Sequence, residues 1–210
     1  MNNDINFWNS LITEKSWNIL QDLKKLPVKF IVIGGWAAWL WSKRQKSKDI
    51  DIVLLNLSDI DYLKKNYDLR KNDMLKKYEI KIGGIDVDIY VPYFSELAMP
   101  VEDIRNYAAK IEGFDVPTPE ALLMLKQMAE LERKDSTKGE KDRIDIMSML
   151  DKVDFNKYNQ LALKYKKDNF AARLKTILNS FREFDRLGMN PRELKLFKKA
   201  ILEKMSKAGL

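Results

Sequence analysis

Asp49 and Asp51, separated by one residue, open the apolar run Asp-Ile-Asp-Ile-Val-Leu-Leu at positions 49–55. In an extended chain, residues two apart point to the same side. The two carboxylates therefore project together while Ile50 and Ile52 turn to the core. Adjacent carboxylates repel each other, and half-burying them without counter-charge is unfavourable. A hard divalent cation, Mg²⁺ or Mn²⁺, removes that repulsion, and Mg²⁺ is commonly held by one or two carboxylates together with substrate phosphates. Just upstream, the apolar stretch Phe30–Ile33 ends in Gly34-Gly35 and a helix-like segment follows. A glycine pair lets backbone approach a bulky anion, and a helix N-terminus favours phosphate. Cation-binding carboxylates and a phosphate cradle in one short stretch point to phosphoryl-type chemistry.

Taken in order, Gly34-Gly35, Ser47 and Asp49-Ile50-Asp51 resemble the signature of the DNA-polymerase-beta-like nucleotidyltransferase superfamily. The fuller string GGWAAWLWSKRQKSKDIDI looks most like the abortive-infection toxin branch and related uncharacterised nucleotidyltransferases. That branch shows Gly-Gly-x-Ala, then an Arg, then Ser or Thr two residues before the first Asp. Ser47 holds that last position, whereas Arg44 lies one residue earlier than the pattern places it. The resemblance implies Mg²⁺ or Mn²⁺ at Asp49 and Asp51. It also implies a nucleoside triphosphate such as ATP as substrate, with Gly34, Gly35 and Ser47 against its β- and γ-phosphates. In a toxin-like member, an antitoxin would be a partner.

The superfamily also requires a third carboxylate on a nearby strand. Residues 78–82 and 85–91 read as two strands joined by Gly83-Gly84, a two-residue hairpin signal. On the second strand Ile85, Val87, Ile89 and Val91 face one way, and Asp86, Asp88 and Tyr90 the other. The alternation alone leaves Asp86 and Asp88 both open. The family's third carboxylate lies well inside its strand and is followed by apolar residues, so the resemblance favours Asp88 as catalytic residue and metal ligand.

A second stretch carries the same resemblance. PTPEALLMLKQMAE followed by KGEKDRIDIMSML is similar to the pair of segments that follows the core in the toxin-like branch. There a Lys on the first helix and a Lys-Asp-x-x-Asp segment on the second return to the cleft. Carried over, these are Lys126, Lys141, Asp142 and Asp145. Lys126 would contact the triphosphate, and Asp142 would bind or orient a cleft group, Lys126 included. The basic loop Lys43, Arg44, Lys46 and Lys48, directly before the carboxylates, is expected to steer phosphate.

Composition narrows the chemistry further. The chain of 210 residues has no cysteine and no histidine. Disulfides, thiolate metal sites, the histidine base and the Ser-His triad are all excluded. Nucleotidyl transfer needs positioning and charge neutralisation above all, and carboxylates, lysines and a bound cation supply both. The start, MNNDINFWNS, lacks the basic flank and apolar core of a secretory signal. No apolar run is long enough to span a membrane, and a cytoplasmic location is expected. The net charge is +7, yet residues 1–115 carry seventeen basic and seventeen acidic side chains, so the whole surplus lies in residues 116–210. An RNA acceptor such as tRNA would account for that surplus; a protein or a small molecule is the other acceptor class.

Hydrophobic spacing supplies the elements that must hold these residues. A helix is expected from about Ile5 to Leu26, ended by Pro27, with Trp8, Leu11, Ile12, Trp17, Leu20 and Leu23 on its apolar stripe. Strands at 29–33 and 49–55 flank a helix at 35–44, whose Trp36, Trp39 and Trp41 read as core packing rather than base-stacking groups. Ser58 is expected to cap a short helix to residue 66, and 108–116 to add one edge strand. From Thr118-Pro119-Glu120, a helix start, the chain reads as helical to its end, with helices at 156–167, 169–186 and 191–207. The expected architecture is an α/β mixed-sheet core at 1–117 followed by an α-helical domain at 118–210, with the cleft between them.

Overall fold

The computed structural model describes residues 11–210. The element order is α1 (Leu11–Leu23), β1 (Phe30–Val32), α2 (Gly34–Ser42), β2 (Ile50–Leu54), α3 (Asp59–Asn66), β3 (Arg70–Asn72), β4 (Lys77–Ile82) and β5 (Ile85–Tyr90). After a 3₁₀ segment at Val101–Tyr107 come β6 (Ala108–Ile111), β7 (Phe114–Pro117), α4 (Pro119–Arg133), α5 (Thr137–Met149), α6 (Phe155–Lys164), α7 (Phe170–Ser180) and α8 (Pro191–Lys207).

The central sheet is mixed, in the order β1-β2-β5-β4-β3. β2 and β5 run parallel, and the other neighbours are antiparallel. Gly83 and Gly84 both take positive φ, 57° and 87°. That is the conformation of the tight turn whose twist matches paired strands, and it fixes the register of β4 on β5. Ile50, Ile52 and Leu54 of β2 and Val87 and Ile89 of β5 are fully buried. The core-facing side of the sheet thus consists of the alternating aliphatics expected from the sequence, and the acidic residues are left to the other side.

The helical part is not a bundle set apart from the sheet. α4 packs against α5, α6 and α7 and also against α2, and α5 packs against α2. The first half of α4, Ala121 to Gln127, is buried on all sides, as expected of a helix at the centre of others. Its polar residues are matched: Tyr158 donates to Gln127 Oε1 at 2.6 Å, Gln127 donates to the Phe170 carbonyl at 2.8 Å, and buried Glu130 accepts from Arg143 and Arg173. Asp154 caps α6, and a reciprocal Asn190–Glu193 capping box opens α8.

Several expectations need correction. α1 ends at Leu23, and its Leu11 and Ile12 are exposed; Trp8 and the expected start of that helix lie outside the described residues. Ser58 precedes α3 but makes no side-chain capping bond. The 108–116 segment is two short strands, not one. Glu112 and Gly113 take positive φ and fold it into a separate β6–β7 ribbon that does not pair with the main sheet. The stretch expected as one helix at 169–186 ends at Ser180, followed by a 3₁₀ turn at Phe184–Leu187. Trp36 is fully buried, with its indole N–H on Ser16 Oγ, and it packs with Trp17 and Trp39 in one aromatic cluster. The core-packing reading of these rings is the observed one.

Candidate active site

A cleft of ≈ 560 Å³ runs between the sheet and helices α4 and α5; Gly34, Gly35, Ser47, Asp49, Asp51, Asp88, Lys126 and Asp142 all line it. The eight residues expected at the site are therefore brought together from five parts of the chain: the start of α2, β2 with its lead-in, β5, α4 and α5.

The acidic floor comes from the sheet. Asp51 sits on β2 and Asp49 immediately precedes that strand. In the parallel pairing of β2 with β5, Asp51 is directly opposite Asp88. Burial raises the pKa of Asp51 above the usual carboxylate range, and Asp49 adds to the rise, while Lys126 and Lys141 pull it down. Asp88 is pushed up to about 6, by burial first and then by the charge of Asp51, against the pull of Lys77. Lys77 reaches across from β4 and donates to Asp88 Oδ2 at 2.6 Å and to Glu79 at 3.1 Å. Asp86 is exposed and pairs with Lys81 at 3.1 Å, away from the cleft. Of the two carboxylates left open by the alternation, the cleft contains Asp88.

Backbone close to these acids is made by the glycine pair. Gly34 takes φ +63°, and a side chain there would place its Cβ 2.1 Å from Asp51 Oδ2. A Cβ on Gly35 would lie 2.7 Å from Ser47 Oγ. Only glycine lets the start of α2 lie this close to Asp51 and Ser47, and the helix N-terminus consequently borders the acidic floor.

The opposite wall is cationic and belongs to α4 and α5. Lys126 Nζ donates to Asp145 at 2.6 Å and to Asp142 at 3.2 Å, and Arg133 makes two bonds to Asp142, at 2.7 and 3.0 Å. Burial disfavours the charged ammonium of Lys126, but Asp145 and Asp142 outweigh it and its pKa is raised. Asp142 likewise overcomes burial through Lys126 and Arg133, and its pKa is lowered. Asp142 thus orients Lys126, one of the two roles open to it in the sequence. Lys141, one residue before, donates to Ser47 Oγ at 3.2 Å. Its pKa is lowered, by burial first and by nearby Lys126, despite Asp145, Asp51 and Asp49.

The basic loop before the carboxylates does not join this wall. Lys43 pairs with Glu112 and lies over the Trp39 ring, Lys46 pairs with Glu14, and the Arg44 guanidinium lies beside Gly188. None of the loop's four basic residues lines the cleft. Sequence adjacency misled here: after the left-handed turn at Lys43 the loop buries Gln45 and Ser47, and its cations lie outside the cleft. The cations that do line the cleft are Lys76, Lys77, Lys126, Arg133, Lys138 and Lys141. Lys77 and Arg133 escaped sequence reasoning. Lys77 left a usable trace, since its place three strand positions from Ile80 puts it on the face opposite that buried residue.

The donor set suits a hard cation: every candidate ligand is a carboxylate oxygen, and the chain has no thiol or imidazole. Among the described residues no three acidic side chains stand together in a way that could hold a metal ion, and Asp88 is engaged by Lys77, so the three-carboxylate ligand set expected from the sequence is not seen among them. The half-buried Asp49–Asp51 pair fits a Mg²⁺-type ion whose remaining ligands come from phosphate and water.

Whole-fold comparison concerns the architecture. The chain is similar to JHP933 from Helicobacter pylori (TM-score 0.53, 15% identity, 95% of this chain and 96% of that one). It is similar to a candidate nucleotidyltransferase from H. pylori (TM-score 0.53, 16% identity, 95% and 97%). It is also similar to ANT(2″)-Ia, solved in complex with adenylyl-2″-tobramycin (TM-score 0.52, 12% identity, 75% and 98%). No protein-family model and no curated protein sequence matches the chain. The fold is nucleotidyltransferase-like: a mixed sheet carrying the acidic residues, closed by a helical part.

Proposed function

We propose that this protein is a metal-dependent nucleotidyltransferase that moves a nucleoside monophosphate from a nucleoside triphosphate to an acceptor hydroxyl. The observation that carries the reading is the meeting of Asp51, Asp49 and Asp88 with the Gly34-Gly35 helix start and the Lys126–Lys141 wall in one cleft. Anionic floor, close backbone and cationic wall are the three parts that triphosphate chemistry asks of a protein.

Asp49 and Asp51 would hold Mg²⁺ or Mn²⁺, which when bound neutralises phosphate charge and orients the reacting groups. The N-terminus of α2 and Ser47 receive the β- and γ-phosphates, with Lys141 beside Ser47 and Lys126 deeper in the wall. The acceptor oxygen attacks the α-phosphorus in line, the bond from that phosphorus to the bridging oxygen breaks, and pyrophosphate leaves. The hydroxyl proton passes to Asp88, whose pKa of about 6 suits a general base near neutral pH. Lys77 holds Asp88 Oδ2 and leaves Oδ1 to take the proton.

The acceptor is a hydroxyl on RNA, on a protein or on a small molecule, and a toxin-like role would follow from an RNA or protein acceptor. Incubation with each α-labelled nucleoside triphosphate, Mg²⁺ and cell extract, followed by separation into RNA, protein and small-molecule fractions, tests the reading. Transfer of label to one fraction, lost in Asp51→Asn, supports it. Label that stays in the nucleotide with every triphosphate and every fraction overturns it.

A further inference from the structure

Away from the cleft, α8 and the segment that follows α7 line a second concavity of ≈ 780 Å³. Its apolar lining comes from Phe181 and Phe184 after α7, and Pro191, Leu194 and Leu202 of α8. Phe184 is 37% exposed, large for a phenylalanine outside any interface. No residue of this groove lines the candidate active site.

The margin of the groove is predominantly basic. Arg182, Lys195, Lys198 and Lys199 border it, and the acid bordering it is Glu203, 3.9 Å from Lys199. Arg182 and Lys198 are held there rather than waving in solvent, since both donate to the Phe181 carbonyl, at 2.9 and 2.6 Å. Anchoring two cations on one carbonyl crowds like charges: burial and then Arg182 depress the pKa of Lys198, with Glu183 opposing. An anionic group seated beside them would relieve that repulsion.

We infer that this groove binds an acidic amphipathic helix of a partner protein. The shape selects among anionic partners. A concave apolar floor needs an apolar ridge to fill it, which an amphipathic helix presents at i, i+3, i+4 and i+7. A nucleic-acid backbone has no such ridge, and a bilayer surface does not enter a concavity of this shape. Basic residues on both sides, Arg182 in the segment after α7 and Lys195, Lys198 and Lys199 on α8, then select glutamates or aspartates flanking the ridge. The inference is independent of the chemistry in the cleft.

The test uses the full chain and a synthetic helical peptide of about 18 residues, long enough for stable turns, with leucines at the ridge positions and glutamates beside them. Its counterpart carries lysines in place of the glutamates. Fluorescence anisotropy should show the acidic peptide binding at least tenfold more tightly than the basic one. The exposed double reversal Lys195→Glu/Lys199→Glu should lower acidic-peptide affinity at least tenfold and raise that of the basic peptide. Phe184→Ala should weaken both, with the circular dichroism spectrum unchanged. Equal binding of the two peptides, no binding of either, or indifference to the charge reversal would overturn the inference. So would tighter binding to phosphatidylserine vesicles or to single-stranded RNA through these same residues, or a dimer that dissociates on Phe184→Ala, since another occupant would then fill the groove.

Discussion

Asp51 and Asp88 face each other across the one parallel strand pair that the main sheet has among the described residues, and the charge of Asp51 disfavours that of Asp88. A fold selected for stability alone would not place two carboxylates this way. The repulsion is tolerable when a cation or a proton shares the site, and that condition generates several measurable consequences.

Removing one charge should stabilise the protein without metal while disabling it. Asp51→Asn relieves both burial of a charge and repulsion at the cleft floor. In EDTA its melting temperature should exceed that of the wild type, while nucleotide transfer in Mg²⁺ falls by at least about 10²-fold, the scale of losing a principal electrostatic group. A lower melting temperature than wild type in EDTA would show that Asp51 is a structural residue.

The pH dependence of stability follows from the same residues. The pKa of Asp88 is about 6 in the folded protein against 3.8 for the free side chain. Between those values the folded state binds more protons than the unfolded one, so stability rises as pH falls from about 6 toward 4. The contribution is on the order of 3 kcal/mol. Urea unfolding of wild type and Asp88→Asn in EDTA across this window checks it: the difference in unfolding free energy should shrink with falling pH. A difference that stays constant contradicts the assignment.

Asp88 and Asp86 should separate in turnover. Asp88→Asn removes the proposed proton acceptor from the cleft, whereas Asp86→Asn breaks an exposed ion pair with Lys81 worth at most about 1 kcal/mol. Transfer should drop by at least about 10²-fold in the first and less than about threefold in the second. The reverse ranking in single-turnover assays would mean that Asp88 takes no part in the reaction.

Asp142→Ala should be costly to the fold. It leaves Lys126 buried with one of its two acids and strips Arg133 of its partner. Breaking a buried pair from one side costs about 3–5 kcal/mol, and guanidinium unfolding should show a loss of that size. Asp142→Asn, which keeps the shape and a hydrogen-bond acceptor, should lose less. Equal, small losses in both variants would show the network to be weakly coupled.

The acidic floor was legible in the sequence because strand alternation is a local rule. Asp49 and Asp51 could be placed from their neighbours, and the Gly83-Gly84 turn fixed the hairpin that presents Asp86 and Asp88; alternation left those two open, and the family resemblance favoured Asp88. The phosphate-side glycines were legible for the same reason, although the close approach of Gly34 to Asp51 needed coordinates. What local rules could not reach was partnership across the chain. Lys43 and Lys46 stand next to the carboxylates in sequence but are taken up by Glu112 and Glu14, whereas Lys77 reaches Asp88 from the neighbouring strand. The β6–β7 ribbon was read as one strand because Glu112-Gly113 is a short signal within an otherwise extended stretch. The groove beside the last helix left no signal at all, since its α8 residues follow ordinary helical spacing and only the packing of α8 against the segment after α7 shapes it.

The bond between Lys141 and Ser47 joins positions 94 apart in the chain. A polypeptide growing on the ribosome therefore displays its acidic floor and glycine turn long before the cationic wall exists. Until α5 has emerged and docked on α2, the half-made chain has only the acidic side of the cleft. The order of synthesis itself completes the cleft late and all at once. The same bond makes position 117 a poor place to divide the protein: pieces split there would each carry half of the cleft, and their reunion could be followed by the return of the Lys141–Ser47 bond.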